Sequence, residues 1–142
     1  MVGGQIIDLE NEKKNATYEE VLECNDLKTG GLIKAACVMG AILGGADDNQ
    51  LIMAEKYGKC IGIAFQIVDD SLDITSTNEE LGKPVGSDIE NNKTTYVSLF
   101  GIEKCRKMVD ELTNEAVEAL DCFDSDSSSL KNLALSLAER KK

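Results

Sequence analysis

The chain of 142 residues contains no histidine, only one proline, and aromatic residues amounting to 4% of its composition. The absence of histidine excludes Ser-His-Asp and Cys-His catalysis and argues against a zinc site. Few prolines and few β-branched or aromatic runs favour helices over a β-sandwich. We therefore predict an all-α fold.

Positive charge and closely spaced cysteines are also scarce. The net charge of −11 argues against nucleic acid and anionic membrane surfaces as partners, and an anionic substrate would need accompanying cations. The five cysteines form no CxxC motif, which predicts reduced thiols in a cytoplasmic protein. No uncharged apolar run reaches the roughly 18 residues of a membrane span, and the first residues lack the basic segment of a secretory signal.

Hydrophobic periodicity and capping signals divide the chain into helices. Residues 1–9 read as the end of a helix whose beginning is absent. Thr17 and Glu20 predict a capping box for a short helix from Tyr18 to about Asp26. Two further helices are predicted at about Thr29–Leu43 and about Asn49–Leu72. Another is predicted from six apolar residues that share one helical face: Ile102, Cys105, Val109, Leu112, Ala116 and Leu120. A last helix is predicted around Leu130, Leu133 and Leu137.

The predicted helix Thr29–Leu43 is apolar nearly all round after Lys34, which predicts central burial. Lys28 at its start suggests a phosphate site, because free N–H groups and the helix dipole favour anions. That signal is weak, and a capping Thr29 beside a surface lysine explains it better. The pair Asp47-Asp48 lacks the spacing of a metal motif and predicts a turn and an N-cap.

The main chemical signal is the sequence Phe-Gln-Ile-Val-Asp-Asp-Ser-Leu-Asp at residues 65–73. On a helix, Asp69 and Asp73 share one face, and Gln66 lies on that face one turn earlier. Like charges on one face of a mostly apolar helix repel each other unless a cation joins them. Oxygen ligands suit Mg²⁺, so we predict a magnesium site at Asp69, Asp70 and Asp73. A solvated helix end is the simpler alternative.

Residues 74–94 form a predicted loop that contains the only proline. Loops of this length are uncommon in compact domains and are often functional. Lys83 and Lys93 follow the acidic motif and are predicted to contact phosphate oxygens as point charges, although solvated lysines are the simpler interpretation of each alone. We expect residues 76–92 to be mobile without ligand and to act as a lid. An EF-hand interpretation fails because Ile74 stands where that loop needs glycine.

Five segments, taken in order, carry a resemblance to a known family. They are Gly3-Gly4-Gln5 with Asp8-Leu9, Lys28-Thr29-Gly30 with Leu32-Ile33, the stretch from Gly62 to Asp73, Gly82-Lys83 with Gly86 and Asp88, and Lys93-Thr94-Thr95-Tyr96. Over nearly all of residues 1–142, the chain resembles the C-terminal half of a trans-isoprenyl diphosphate synthase, or polyprenyl synthetase. The likeness is greatest to the short-chain bacterial farnesyl and geranylgeranyl diphosphate synthases.

The resemblance implies an isoprenoid-synthase-like helical bundle, generally a homodimer, that condenses isopentenyl diphosphate with an allylic diphosphate. Two Asp-rich motifs in such enzymes hold Mg²⁺ on the allylic diphosphate, which ionises to a carbocation that isopentenyl diphosphate attacks. By this resemblance Asp69, Asp70 and Asp73 are the second motif, Lys28, Lys83 and Lys93 contact the allylic diphosphate, and Thr29 and Gln66 stabilise the cation.

The chain departs from the family pattern in two ways. The first Asp-rich motif and the isopentenyl-binding residues belong to the N-terminal half in this family, so we expect this chain to be inactive alone. Asn25 stands where the family commonly has histidine. A non-catalytic helical fragment or partner subunit is the alternative interpretation. A terpene cyclase is disfavoured, because we find no Asn/Asp-Ser-Glu metal motif in a helical context.

Overall fold

The computed structural model describes residues 2–11, 14–75, 93–123 and 126–140. Within these ranges the chain forms helices and turns and no strand, which confirms the all-α prediction. The elements are α1 (Val2–Asn11), α2 (Tyr18–Asn25), a π-helical segment (Asp26–Gly30), α3 (Gly31–Leu43), α4 (Asp48–Thr75), α5 (Tyr96–Phe100), α6 (Ile102–Ala119), a 3-10 turn (Leu120–Cys122) and α7 (Ser128–Ala138).

Helix α4 is the centre of the structure. Its 28 residues span about 42 Å, and its main neighbours are α3 and α6. The contact with α3 is close because small residues line it. A Cβ atom added at Gly58 would lie 2.8 Å from the Cα atom of Lys34, so only glycine allows this separation of the two backbones.

The buried side chains form two clusters along α4. One gathers around Ile67 and Tyr96, and the other around Tyr57, whose hydroxyl donates a hydrogen bond of 2.8 Å to the Leu130 carbonyl oxygen. That bond ties α7 to α4. The predicted apolar face of α6, which continues into the 3-10 turn at Leu120, is confirmed, because the residues of this face are buried or packed against these clusters: Ile102, Cys105, Val109, Leu112, Ala116 and Leu120.

Two predicted helix starts are confirmed by their side-chain hydrogen bonds. Thr17 and Glu20 form the capping box of α2. Asp47 accepts a hydrogen bond of 2.8 Å from the Gln50 N–H, and the Gln50 side chain accepts one from the Asp47 N–H. Asp47 therefore caps α4 as predicted.

The predicted start of the helix at Thr29 is wrong. The chain remains helical from α2 through the π-helical segment into α3, and the Gly31 N–H donates to the Asp26 carbonyl. Lys28 and Thr29 consequently lie inside a continuous helical run rather than at a helix N-terminus. The hypothesis of a phosphate site built from free N–H groups at this point is therefore wrong as well.

The predicted burial of α3 is also wrong for this chain, because none of its residues is buried. Leu43 is 88% exposed and Leu32 is 58% exposed. The sequence pattern showed only that α3 is apolar, whereas burial depends on what packs against it. Among the described residues its main neighbours are α4 and the π-helical segment.

The predicted loop over 74–94 is wrong at its first two residues, because α4 continues to Thr75. At its other end residues 93 and 94 lie outside any helix as predicted, and α5 begins at Tyr96. Residues 76–92, with Lys83 and the predicted lid, lie outside the described residues. Within the described ranges, no helix has the length and apolar character that crossing a bilayer requires.

Candidate functional site

A small polar cavity of about 90 Å³ lies where α1, α2, the π-helical segment, α4 and the segment before α5 meet. Each of these elements contributes side chains or backbone to it. The lining residues are Asp8, Asn11, Val21, Cys24, Asn25, Lys28, Gln66, Asp69, Asp70, Lys93, Thr94 and Thr95.

One side of the cavity carries two lysines that share a carboxylate. The Nζ atoms of Lys28 and Lys93 donate to the same Oδ2 atom of Asp8, at 2.7 Å and 3.2 Å. Burial of Asp8 acts to raise its pKa, but the hydrogen bonds from the two lysines outweigh this and lower the pKa below its ordinary value of 3.8. Burial and the nearby Asp8 raise the pKa of the Cys24 thiol, so this cysteine is not an activated nucleophile.

Two further carboxylates of the cavity lining, Asp69 and Asp70, belong to the C-terminal part of α4. Asp70 Oδ2 accepts a hydrogen bond of 2.8 Å from the backbone N–H of Tyr96, the first residue of α5. Asp70 therefore also fixes α5 against α4. Burial raises the pKa of the Tyr96 phenol to about 12, so Tyr96 remains neutral at physiological pH.

Arg140, which follows α7, contacts one of these two carboxylates. Its Nη2 atom donates to Oδ1 of Asp69 at 2.6 Å, and its guanidinium carbon lies 4.6 Å from the centre of the Phe65 ring. An ion pair combined with stacking on an aromatic face holds a guanidinium in a defined orientation. Arg140 therefore occupies one oxygen of a carboxylate that the sequence predicts to bind metal.

The structure brings five of the predicted site residues to one cavity: Lys28, Gln66, Asp69, Asp70 and Lys93. It does not bring the others there. Thr29 lies in the π-helical segment outside the cavity lining, and Asp73 is completely buried. Lys83 falls outside the described residues.

The carboxylates at the cavity suit magnesium in their chemistry, although they do not form a complete coordination shell. Among the described residues, no group of three or more His, Cys, Asp or Glu side chains is arranged to hold a metal. Asp69 and Asp70 nevertheless both reach the cavity. Mg²⁺ is commonly bound by one or two carboxylates together with phosphate oxygens, so this pair fits an ion that arrives with a diphosphate.

Sequence reasoning missed Asp8 and Arg140 as site residues. A signal for Asp8 was available, since Gly4 and Asp8 are four residues apart and share a helical face. Arg140 carried no such signal. It lies 71 positions after Asp69 in the sequence, and only the packing of α7 brings the two together.

The family profile described as polyprenyl synthetase matches residues 1–132. The chain belongs to the polyprenyl synthetase family. The match includes every residue that lines the cavity. Arg140 lies beyond the matched segment.

Individual members of the polyprenyl synthetase family agree with this assignment. The farnesyl diphosphate synthase of Micrococcus luteus is 39% identical over 142 residues, which cover 100% of this chain and 49% of that protein. The chloroplastic heterodimeric geranylgeranyl pyrophosphate synthase large subunit 1 of Arabidopsis thaliana is 42% identical over 129 residues, covering 89% of this chain and 35% of the relative.

A solved structure gives the same result for the fold. The geranylgeranyl pyrophosphate synthetase of the archaeon Geoglobus acetivorans superimposes with a TM-score of 0.83 at 30% identity, covering 98% of this chain and 53% of that one. Its agreement with the described helices establishes the isoprenoid-synthase-like bundle predicted from the sequence. The chain thus spans between about a third and a half of the length of these relatives.

Proposed function

We propose that this chain forms the diphosphate-ionising side of a prenyltransferase that condenses isopentenyl diphosphate with an allylic diphosphate. The observation that carries the proposal is that Lys28, Lys93, Asp69 and Asp70 line the same small cavity. Two ammonium groups suit the oxygens of a leaving diphosphate, and two carboxylates suit the cations that bind with it.

In this proposal the lysines, the aspartates and the glutamine of the cavity have different roles. Lys28 and Lys93 bind the diphosphate and neutralise the charge that grows on it as the carbon–oxygen bond breaks. Asp69 and Asp70 would hold Mg²⁺, which supplies further neutralisation of that leaving group when bound. The Gln66 side chain, one turn before Asp69, presents an amide oxygen dipole that stabilises positive charge at the allylic carbon.

The remaining assignments extend the proposal beyond the cavity. Asp73, Lys83 and Thr29 keep the metal, diphosphate and cation roles that the family resemblance gives them. We propose a homodimer located in the cytoplasm. The alternative is a non-catalytic partner subunit. The Arabidopsis relative, which is named as the large subunit of a heterodimeric, chloroplastic geranylgeranyl pyrophosphate synthase, supports association with a different chain.

Calorimetric titration of the chain with pyrophosphate, with and without Mg²⁺, tests the binding part of the proposal. We expect pyrophosphate to bind in a Mg²⁺-dependent manner and Mg²⁺ alone to bind weakly, since two carboxylates supply only part of its shell. Asp69→Asn should weaken the Mg²⁺-dependent binding at least about tenfold, because a metal ligand is lost. Asp48→Asn removes an exposed carboxylate from the other end of α4 and is the matched control.

Tight binding of Mg²⁺ without pyrophosphate, or equal effects of the two substitutions, would contradict the metal assignment.

Catalysis needs a separate test with radiolabelled isopentenyl diphosphate and geranyl diphosphate. The chain alone should give no extractable product, because by the family resemblance the first Asp-rich motif is missing. Product above a Mg²⁺-free control would show that these residues suffice for catalysis. If adding the N-terminal half of a family member restores condensation, the catalytic interpretation gains over that of a non-catalytic subunit.

A further inference from the structure

Asp8 joins two lysines that come from distant parts of the chain. Its Oδ2 atom accepts hydrogen bonds from Lys28, 20 positions later, and from Lys93, 85 positions later. Both ammonium groups are within hydrogen-bond distance of the same oxygen, so they lie close enough to repel each other. The carboxylate between them offsets that repulsion and holds the two cations on the same side of the cavity.

The position of Asp8 depends on a close contact between α1 and the π-helical segment. A Cβ atom at Gly4 would lie 2.4 Å from the Lys28 backbone nitrogen and 2.6 Å from its Cα atom, so any larger residue would push the two elements apart. Asp8 lies one helical turn after Gly4 on the same face. The contact that needs glycine at position 4 therefore brings the Asp8 carboxylate to the Lys28 side chain.

The Asp8 side chain is shielded while the lysines remain partly accessible. It is 16% exposed, compared with 34% for Lys28 and 24% for Lys93. A shielded carboxylate that binds two partly exposed ammonium groups keeps them at the cavity lining, where an anion can reach them. Each ammonium carries three N–H donors, and the hydrogen bond to Asp8 uses one of them.

We propose that Asp8 is a positioning residue, which holds Lys28 and Lys93 as a pair so that both bind one diphosphate at the same time. This inference rests on the proposed function, since it assigns the two lysines to diphosphate. In this proposal Asp8 acts through the two lysines and not through a contact with the substrate. The two lysine side chains are flexible and repel each other, so bringing them together when diphosphate binds would cost conformational entropy. Because Asp8 already holds them together, that cost is not part of the binding free energy.

The first test examines the lysines without any ligand. Side-chain ammonium NMR of the chain labelled with ¹⁵N-lysine, with Lys28 and Lys93 assigned by Lys→Met variants, reports how restricted each ammonium group is. Asp8→Asn should release both groups and leave the other lysine signals unchanged. Glu10→Gln removes an exposed carboxylate from the same helix and should change neither signal. Unchanged Lys28 and Lys93 signals in a folded Asp8→Asn variant would overturn the proposal.

The second test is a double-mutant cycle on pyrophosphate affinity, measured by calorimetry with Mg²⁺ present. If Asp8 positions Lys93, Lys93→Met should weaken binding about fivefold or more in the presence of Asp8 and by less than about twofold in the Asp8→Asn background. If Asp8 only repels anions, Lys93→Met should lower the pyrophosphate affinity by an equal or larger factor in the Asp8→Asn background than in the parent chain. This outcome would refute the positioning role.

The two tests separate this inference from the proposed function. A parent chain that binds no pyrophosphate would overturn the diphosphate role of the lysine pair, whatever the ammonium signals show. Normal pyrophosphate binding with unchanged ammonium signals in Asp8→Asn would overturn the positioning role alone. Asp8→Glu keeps the charge and should restore most of the lysine restraint, whereas a purely steric role of Asp8 would favour the isosteric Asn.

Discussion

At the scale of single residues, the cavity contains ion pairs between side chains from elements that are far apart in sequence. Asp8 holds Lys28 and Lys93, and Arg140 holds Asp69. Each pair involves a side chain that is partly shielded from solvent, so these contacts are stronger than ion pairs between fully exposed groups. The cavity therefore contains its own counter-ions for the groups predicted to bind substrate and metal.

Removing Arg140 should strengthen metal binding. The guanidinium and a divalent cation compete for the same oxygen of Asp69, so Arg140→Gln should raise the Mg²⁺ affinity measured with pyrophosphate several-fold. Arg140→Lys should have a smaller effect, because lysine keeps the charge without the planar stacking on Phe65. Calorimetry measures both variants, with Arg106→Gln as a control at an exposed arginine of α6. Unchanged or weaker Mg²⁺ affinity in Arg140→Gln would refute this competition.

The ion pairs of Asp8 should make stability depend on pH in the acid range. The pKa of Asp8 is lower in the folded chain than its ordinary value of 3.8, so the unfolded chain binds this proton more readily. The stabilisation is therefore fully present above about pH 4 and is lost as the pH falls through the lowered value. The difference in unfolding free energy between the parent and Asp8→Asn, measured with urea, should be constant from pH 7 to about pH 5 and shrink below pH 4. A constant difference down to pH 3 would contradict the pKa direction.

At the scale of elements, glycine decides how closely the helices approach each other. Gly4 brings α1 onto the π-helical segment, and Gly58 brings α4 onto α3. The π-helical segment adds a residue to the turn between α2 and α3, and single π-turns of this kind occur frequently at functional sites. Here it carries Lys28, whose side chain consequently faces α1.

A matched pair of glycine substitutions tests this role. Gly58→Ala should destabilise the chain by about 1–3 kcal/mol, because its Cβ atom would clash with the Lys34 backbone at 2.8 Å. Gly40→Ala lies inside α3 with no atom within 4 Å of its Cβ position, so it should stabilise the chain by about 0.5–1 kcal/mol through helix propensity. Thermal or urea unfolding measures both. Equal effects of the two substitutions would show that the helix contact imposes no steric limit.

At the scale of the whole molecule, α3 and the part of α4 near its start carry several exposed apolar side chains. Ile42 is 56% exposed and Ile52 is 61% exposed, in addition to Leu43 and Leu32. Exposed apolar surface of this extent marks an interface or leads to association. The relatives are two to three times longer than this chain.

The isolated chain should therefore self-associate. We expect its weight-average mass in analytical ultracentrifugation to rise with concentration above that of the 15.4 kDa monomer. Replacing Leu32 and Leu43 with Gln should reduce the association, because it removes apolar surface that gains from burial. The paired substitution Leu133→Gln and Leu135→Gln on α7 is the control, since these leucines are also exposed but lie on another element. A monomer at all concentrations, or an equal effect of the two pairs, would contradict association through α3.

The sequence by itself determined the helical class, the apolar face of α6, the caps of α2 and α4, and the family. These features depend on neighbouring residues: the spacing of apolar positions, and side chains that bond the backbone three residues away. The resemblance also named five residues that the structure gathers at one cavity.

Only the tertiary structure decided how those residues are partnered and which apolar surface is buried. Asp8 contacts Lys93, and Arg140 contacts Asp69, because helix packing brings together positions that are far apart in the chain. The exposure of α3 and the burial of Asp73 likewise depend on what packs against each helix face. Hydrophobic periodicity gives the polarity of a face, but the neighbour that covers it is set by the whole arrangement of helices, and no local pattern contains that information.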